Sequence, residues 1–427
     1  MNDQPLIKFN PKLPKLSANE RAVLKLLVEA GELIAPIYIE QEKQELISKD
    51  EEEKAAKKNP LILSPYTVIE KKDNEWVVTP YHIKYAKLLK PVADKLQQAA
   101  NITENKEFGK ALGIKAKALV EGSYEEATIA WLKIKPYILD ISIGPIDHFD
   151  DQLLFGKAPY LAWVGVLDIE GTIRFNNYKS VTLSTSRKVS LPKEHFDNLE
   201  KVKAKVIDVI LFSGLMARTK FTGINLPMNT NIVEKYGAEI TLFNQANDLR
   251  LKEQILPTFN KIFSKGFREG FNLEDLRRGY LRSVALHELA HSYLYYRNAA
   301  KNLQDLFPGI YELAATMLGL RMGGHLLLKD RITNKQLESM IVAFISRSFY
   351  LMENRKTNKP MTNYALGGTV FINYMLENGA LKEFKGLTIL NFTKVFLSLQ
   401  ELFSILENLL AFGIRKDAQS FIKKYQS

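Results

Sequence analysis

The segment VALHELAHSYLYY, residues 284–296, contains the motif His-Glu-x-x-His. Residues four apart lie on one face of a helix, so His287 and His291 can point at one metal ion while Glu288 reaches the metal's water. The motif lies in the part of the chain, from residue 251 to the end, where apolar residues recur at helical spacing almost throughout. The segment therefore predicts a zinc-binding helix within a mainly helical half of the protein.

A catalytic zinc ion of this type needs a third protein ligand and an open fourth position. The segment FPGIYELAATMLGL, residues 307–320, offers Glu312, which is separated from His291 by 20 residues. Pro308 and Gly309 break the chain and start a new helix, which places Glu312 in its first turn. With one zinc ion bound, Glu288 would be the general base in the hydrolysis of an amide.

Simpler interpretations of these residues stay open at this point. His287 and His291 can be structural histidines on an amphipathic helix. Glu312 can be a carboxylate that interacts favourably with a helix N-terminus.

Composition limits the class of protein. The chain has 427 residues, 46% of them apolar, which favours two lobes over one. It has no cysteine, so His, Asp and Glu remain as the strong metal ligands. The net charge of +11 is scattered and no zinc-finger, KH or RRM signature accompanies it, so we expect no nucleic-acid partner. The chain shows no secretory signal and no run of about 18 uncharged apolar residues, so we expect a cytoplasmic protein outside membranes.

The spacing of apolar residues changes along the chain. Residues 17–45 have helical spacing and open with a capping box of Ser17 and Glu20. Runs such as YILDISI and YLAWVGVL, between residues 135 and 245, are typical of strands. We predict an α+β protein with a mixed α/β lobe over residues 1–245 and a helical zinc-binding lobe over residues 246–427. The opening helix packs either within the first lobe or on the helical one.

Several segments together resemble the dipeptidyl peptidase III family of zinc peptidases, in particular its shorter bacterial relatives. LSANERAVLKLLVEAGELIAPIYIEQ is similar to the family's opening helix, and VALHELAHS with YELAAT corresponds to its paired zinc motifs. ISIGPIDHFDD together with FTGINLPMN is more distinctive than His-Glu-x-x-His, which many zinc peptidases share. The resemblance covers most of the chain. It implies two lobes around a cleft, one mainly helical and zinc-binding, the other with a β-barrel-like core.

The resemblance also implies roles for individual residues. The zinc ligands and the general base match the residues derived above: His287, His291, Glu312 and Glu288. Asp147 matches an acid that holds the substrate's ammonium group, and Asn225 matches an amide that helps to hold it. The implied function is zinc-dependent hydrolysis of peptide bonds, by an exopeptidase that releases dipeptides from the N-terminus of oligopeptides.

Some positions depart from the family pattern. Phe149 stands where the family has a tyrosine that stabilises the transition state, and Met228 stands where it has a second asparagine. Tyr311 and Thr316 replace acids of the second zinc motif. Thr316 stands where a carboxylate would orient a zinc-bound imidazole, and loss of such a partner typically costs 10–100-fold in metal affinity or activity.

Two residues can replace the missing tyrosine as stabilisers of the oxyanion: His148, which precedes Phe149, and Tyr364, which lies near the position of a histidine in the family's cleft. If neither does so, the alternative is a non-catalytic zinc protein that binds a peptide or protein partner. A basic scaffold for an acidic partner is a third possibility. Many relatives are joined to a Nudix domain, but no Nudix box occurs in this sequence, and the oligomeric state stays open.

Overall fold

The computed structural model describes residues 4–44, 49–73, 75–146, 156–182, 195–196, 201–227, 229–354 and 362–426. The chain divides into two compact units, each built from several segments. The first comprises Met1–Ile169, Lys205–Phe221 and Leu226–Glu239, and the second comprises Glu170–Ala204, Thr222–Asn225 and Ile240–Ser427. In this division Glu170–Ala204 and Thr222–Asn225 belong to the second unit, and the two lobes over residues 1–245 and 246–427 stay a prediction.

Helices dominate the chain. Their bounds are α1 Ala18–Glu32, α2 Ile34–Glu42, α3 Lys49–Ala56, α4 Tyr81–Lys84, α5 Ala86–Ile102, α6 Lys106–Glu121, α7 Tyr124–Lys133, α8 Ile169–Thr182, α9 Leu215–Thr219, α10 Thr230–Tyr236, α11 Asn244–Arg250, α12 Leu256–Ile262, α13 Lys265–Arg268, α14 Leu273–His291, α15 Ala299–Leu303, α16 Phe307–Leu328, α17 Asn334–Glu353, α18 Thr362–Glu377, α19 Phe392–Phe412 and α20 Arg415–Tyr425.

The strands are shorter and lie mostly in the first 245 residues. Their bounds are β1 Leu6–Lys8, β2 Thr67–Lys72, β3 Glu75–Pro80, β4 Leu139–Pro145, β5 Tyr160–Leu167, β6 His195–Phe196, β7 Lys203–Gly214, β8 Gly223–Leu226, β9 Glu239–Phe243, β10 Tyr295–Tyr296, β11 Leu381–Phe384 and β12 Leu387–Leu390.

A curled antiparallel sheet forms the core of the first unit. Strand β5 pairs with β4 on one side and with β7 on the other, and β1 is added to β7. Nearly every residue of β5 is buried, including Trp163, and helices α1 and α2 pack against it. An almost continuous apolar run of this kind is typical of a strand that is covered on both faces.

The opening helix belongs to the first unit, where it packs on α5. The Ser17 hydroxyl accepts a hydrogen bond from the backbone N–H of Glu20 at 3.1 Å, as the capping box requires. The Glu20 carboxylate, however, accepts from the Thr103 hydroxyl at 2.9 Å and from the Glu104 backbone at 2.6 Å. Glu20 therefore ties α1 to the end of α5 instead of closing the capping box.

The second unit is mainly helical. Helix α14 packs against both α16 and α17, and α16 packs against α18 and α19. The predicted class, an α+β protein with one mixed lobe that holds a half-barrel sheet and one helical lobe, is thereby confirmed.

Helix α19 is longer and more apolar than the sequence analysis predicts for any segment of the chain. Within the described part of the chain, it is the one helix that by length and composition alone is apolar enough to cross a membrane. Its most apolar window is 44% buried inside the protein, and core helices of globular proteins have the same character. The absence of a membrane segment stays a prediction.

Candidate metal centre

The His-Glu-x-x-His motif occupies the last two turns of α14. The helix begins at a capping box, in which the Asn272 side chain accepts from the Asp275 backbone at 2.8 Å and the Asp275 carboxylate accepts from the Asn272 backbone at 3.0 Å. It ends at His291, and the next residue, Ser292, is fully buried. The whole motif therefore lies on regular helical backbone.

Helix α16 delivers Glu312. It begins at Phe307, with Pro308 in the first turn, where proline is favoured because its missing N–H has no helical partner to lose. The sequence predicts Glu312 in the first turn of this helix. In the structure it lies in the second turn. Since the helix dipole acts mainly within the first turn, the interpretation of Glu312 as a dipole-stabilising carboxylate loses its support.

The three candidate ligand atoms converge. Nε2 of His287 lies 3.1 Å from Nε2 of His291, and Oε2 of Glu312 lies 3.2 Å from the first and 3.6 Å from the second. In a tetrahedral zinc site with bonds of about 2.1 Å, the ligand atoms lie ~3.4 Å apart. The arrangement therefore matches the spacing that a small tetrahedral cation requires.

The protonation of these groups also suits a cation. Burial raises the pKa of Glu312, but the imidazoles of His291 and His287 outweigh burial and hold that pKa well below its usual value. Glu312 is therefore a carboxylate at neutral pH. Its negative charge faces the ring nitrogens through which histidine binds metals.

Thr316 orients His287. Its hydroxyl donates to the backbone carbonyl of Glu312 at 3.0 Å and lies 3.0 Å from Nδ1 of His287. Because the hydroxyl proton is used by the carbonyl, the hydroxyl oxygen accepts the N–H of Nδ1, which leaves a lone pair on Nε2. The sequence suggests that the contact which orients the imidazole is lost. In the structure Thr316 makes this contact with a hydroxyl in place of a carboxylate.

Glu288 is buried, and its burial changes its pKa. It is 8% exposed, and burial raises its pKa to about 7, with Glu312 adding to the rise and His287 opposing it. A carboxylate with a pKa near the working pH transfers protons efficiently. Strand β8 passes so close that a Cβ atom on Gly223 would lie 2.9 Å from Cγ of Glu288, so only glycine fits there without displacement.

Asn225, in β8, holds the C-terminal end of α14, the helix that carries His287 and His291. Its Nδ2 donates to the backbone carbonyl of Glu288 at 3.1 Å and to the Ser292 hydroxyl at 3.0 Å. The carbonyl partner fixes the orientation of the amide, because a flipped amide would set oxygen against oxygen. Oδ1 of Asn225 is buried and has no hydrogen-bond partner among the described residues. The Asn225 Oδ1 atom is therefore available to accept a hydrogen bond beside the end of α14.

Two tyrosines border the centre. The Tyr311 ring lies 4.8 Å from the His291 ring, centroid to centroid, and its hydroxyl donates to the His291 carbonyl at 3.4 Å. Burial, followed by the charges of Glu312 and Glu288, raises the pKa of Tyr364 well above its usual value. Tyr364 therefore keeps its proton and lies within the electrostatic influence of both carboxylates.

Four residues singled out from the sequence lie outside the described residues: Asp147, His148, Phe149 and Met228. Their roles stay predictions. Sequence reasoning missed the contributions of Gly223 and Ser292. Gly223, in the segment FTGIN, was the more accessible of the two, since an isolated glycine in a strand often marks a close approach of backbone.

Comparison with known proteins identifies the fold. No protein-family model matches the chain. Nudix hydrolase 3 of Arabidopsis thaliana is 25% identical over 314 residues, which are 70% of this chain and 39% of that protein, so the chain spans about two fifths of this relative. The structure of dipeptidyl peptidase III from Caldithrix abyssi is 18% identical with a TM-score of 0.82, covering 96% of this chain and 91% of that one.

The structure of dipeptidyl peptidase III from Corallococcus sp. strain EGB is similar to the same degree, with 17% identity and a TM-score of 0.80 over 99% of this chain and 90% of that one. The chain therefore has the fold of these dipeptidyl peptidase III structures, as the sequence resemblance implied. At these identities the likeness is one of fold, and the chemistry has to be argued from the residues of the site.

Proposed function

We propose that this protein is a zinc-dependent peptidase that releases dipeptides from the N-terminus of oligopeptides. The observation that carries the proposal is the convergence of two imidazole nitrogens and one carboxylate oxygen, separated by 3.1, 3.2 and 3.6 Å, beside the buried carboxylate of Glu288. His287, His291 and Glu312 would hold one zinc ion per chain.

Zinc, when bound in such a site, polarises the scissile carbonyl and makes water a nucleophile at neutral pH. The Glu288 carboxylate would accept a proton from the attacking water on one of its oxygens and pass that proton to the leaving amine. Its burial keeps the pKa close to 7, so the group can both accept and return a proton. Tyr364, whose phenol stays protonated, donates to the developing oxyanion, and His148 is the second candidate for this role.

The substrate's N-terminus is held by Asp147 and Asn225. The unpartnered Oδ1 of Asn225 supports this assignment, because a buried acceptor without a partner costs free energy that an incoming ammonium or amide N–H would recover. The substrates are accordingly oligopeptides with a free amino terminus, and the protein acts on them in the cytoplasm.

The test is a mass-spectrometric digest of two peptide libraries, one with free N-termini and one N-acetylated. Zinc-loaded wild type is compared with Glu288→Gln, which keeps the metal but removes the base. Glu274→Gln is the matched control, since it makes the same change on an exposed position of α14 that pairs with Arg278. We expect wild type and the control to shorten only the free peptides, by two residues from the N-terminus.

Each result separates the proposal from its alternative. Cleavage by Glu288→Gln at the wild-type rate would remove Glu288 from the mechanism. Cleavage inside the peptides or of the acetylated library would make the protein a peptidase of another type. If zinc is bound but neither library is cleaved by wild type, the protein is a non-catalytic zinc protein, and peptides retained by it would identify its partner class.

A further inference from the structure

A cavity of about 440 Å³ lies within the second unit, away from the three metal ligands. Helices α16 and α19 form its walls, and Leu337 of α17 and Tyr293, just after the metal helix, complete them. Sites for small molecules usually have volumes of about 300–1,000 Å³. The cavity is therefore large enough for a ligand of more than a few atoms.

The walls of the cavity are mainly apolar. Leu318 and Met322 line it from α16, and Phe396 and Leu399 line it from α19. Gly324 also lines it. A Cβ atom on this residue would lie 3.5 Å from the nearest ring carbon of Phe396, which is an ordinary contact distance. The main part of an occupant is therefore an alkyl or aromatic group that gains from removal from water.

The polar side chains of the lining carry positive charge or none. Arg321 and His325 lie one turn apart on α16, and Gln400 faces them from α19. None of the described lining residues is Asp or Glu. The Arg321 guanidinium lies 5.4 Å from the centroid of the Phe403 ring, which keeps it beside the cavity and leaves its N–H groups able to donate. The head of the occupant is therefore an anion.

One acidic group beyond the lining moderates this charge. Glu407, one turn after Phe403, accepts from the hydroxyl of Tyr296 at 3.1 Å. Burial raises the pKa of Glu407, and the charge of Arg321 acts in the opposite direction. Glu407 therefore offsets part of the Arg321 charge near the cavity.

We propose that this cavity binds a medium-chain carboxylate, with the alkyl chain between α16 and α19 and the carboxylate on Arg321. A carboxylate matches the planar fork of guanidinium donors, and His325 and Gln400 add donors at the same end. The site is independent of peptide hydrolysis and would exist whether or not the metal centre is active.

Titration calorimetry with decanoate, below its micellar concentration, tests the site on the full-length zinc-loaded protein. Decanol, which has the same chain without charge, is the matched ligand. Three variants are compared: Gly324→Leu, which fills the cavity and improves helix propensity; Arg321→Gln, which removes the charge at an exposed position; and Lys329→Gln, an exposed control next to α16 that does not line the cavity.

We expect one saturable decanoate site per chain, at least tenfold weaker binding of decanol, and about tenfold weaker binding of decanoate to Arg321→Gln. Gly324→Leu should lose decanoate binding while it unfolds at the wild-type temperature or above, and Lys329→Gln should bind as wild type does. Absence of saturable binding would overturn the proposal. So would decanoate binding that Gly324→Leu leaves intact or that Lys329→Gln weakens as much as Arg321→Gln.

Discussion

The hydroxyl of Thr316 and Nδ1 of His287 lie 3.0 Å apart, and the same hydroxyl donates to the carbonyl of Glu312. The Thr316 side chain therefore links α16, which carries the candidate ligand Glu312, to the imidazole of the candidate ligand His287. A metal-bound histidine usually gives its second N–H to a carboxylate, a carbonyl or water. The neutral hydroxyl fixes the ring orientation but adds no negative charge, so we expect a weaker metal site than a carboxylate at this position would give.

Removal of the Thr316 hydroxyl should weaken zinc binding. Thr316→Val keeps the shape of the side chain but leaves Nδ1 of His287 without its acceptor, and we expect a 10–100-fold loss of zinc affinity, measured by competition with a chelator. Thr316→Ser keeps the hydroxyl and should recover most of the loss.

The control for this experiment is Thr369→Val. The Thr369 hydroxyl makes the same type of bond, to the carbonyl four residues earlier in α18, and it is more deeply buried than Thr316. Equal losses of zinc affinity in Thr316→Val and Thr369→Val would mean that the hydroxyl acts through helix stability and not through His287.

A glycine sets the distance between the two ligand helices. A Cβ atom on Gly319 of α16 would lie 2.8 Å from the backbone nitrogen of His287 and 2.9 Å from the backbone carbonyl carbon of Leu286. Backbone atoms cannot rotate away, so Gly319→Ala must push α14 from α16 and separate His287 from Glu312. We expect about 1–3 kcal/mol lower stability in urea unfolding and weaker zinc binding.

Gly324→Ala, five residues later on α16, is the matched control. There the new Cβ would meet only the Phe396 ring, at 3.5 Å, so the better helix propensity of alanine should leave stability unchanged or raise it. Gly319→Ala with wild-type stability and wild-type zinc affinity would show that the helices can separate without moving the ligands.

The three candidate metal ligands could be found from the sequence because the information is local. A spacing of four residues fixes the common face of His287 and His291 on any helix, and a proline marks the start of the next helix. The position of Glu312 within that helix differs from the prediction, since the helix begins at Phe307 and Glu312 is its sixth residue. A boundary of this kind depends on the packing of the preceding turn, which the local pattern does not contain.

The supporting contacts could not be found because they join residues far apart in sequence. Thr316 was identified as a lost carboxylate, yet its hydroxyl takes over the orienting role across 29 positions. Asn225 reaches Glu288 and Ser292 across more than 60 positions, and nothing in FTGINLPMN indicates that its amide group supports the metal helix. The fold was predictable as two lobes. No local pattern indicates, however, that Thr222–Asn225 lies in the helical unit while the segments on either side of it lie in the first unit.

The Asn225 amide should be required as a donor. Asn225→Asp keeps the shape and the Oδ1 acceptor but sets a second oxygen against the Glu288 carbonyl, in a partly buried place. We expect a loss of about 2–4 kcal/mol in urea unfolding, and weaker zinc binding because the last turn of α14 loosens.

Asn229→Asp is the corresponding control. Among the described residues the Asn229 side chain accepts from the backbone N–H groups of Asn231 and Ile232 at the start of α10, so an aspartate there keeps both bonds and suits the helix N-terminus. Its stability should match or exceed that of wild type. If Asn225→Asp were equally stable, the Nδ2 contacts would not hold the helix.

Lys157 should make stability depend on alkaline pH. Burial lowers the pKa of this lysine from 10.5 to about 8, and the charge of Glu52 offsets only part of the effect. Below pH 8 both the folded and the unfolded chain carry the proton. Between about pH 8 and 10.5 the folded chain loses it first, so the unfolded state binds more protons and stability rises with pH. Above that window both states are neutral and the gain is complete.

The comparison with Lys157→Met isolates this effect, because other ionisations are common to both proteins. The Lys157 ammonium donates to the carbonyls of Ile62 and Ser64 and to the Thr67 hydroxyl, which favours the charged form. These bonds oppose the effect of burial and limit its size. We expect the free energy of unfolding of wild type, relative to that of the variant, to rise by about 1–3 kcal/mol between pH 7.5 and 10.5. A difference that stays constant over this range in urea unfolding would mean that Lys157 keeps an ordinary pKa, and that its three acceptors outweigh the cost of burial.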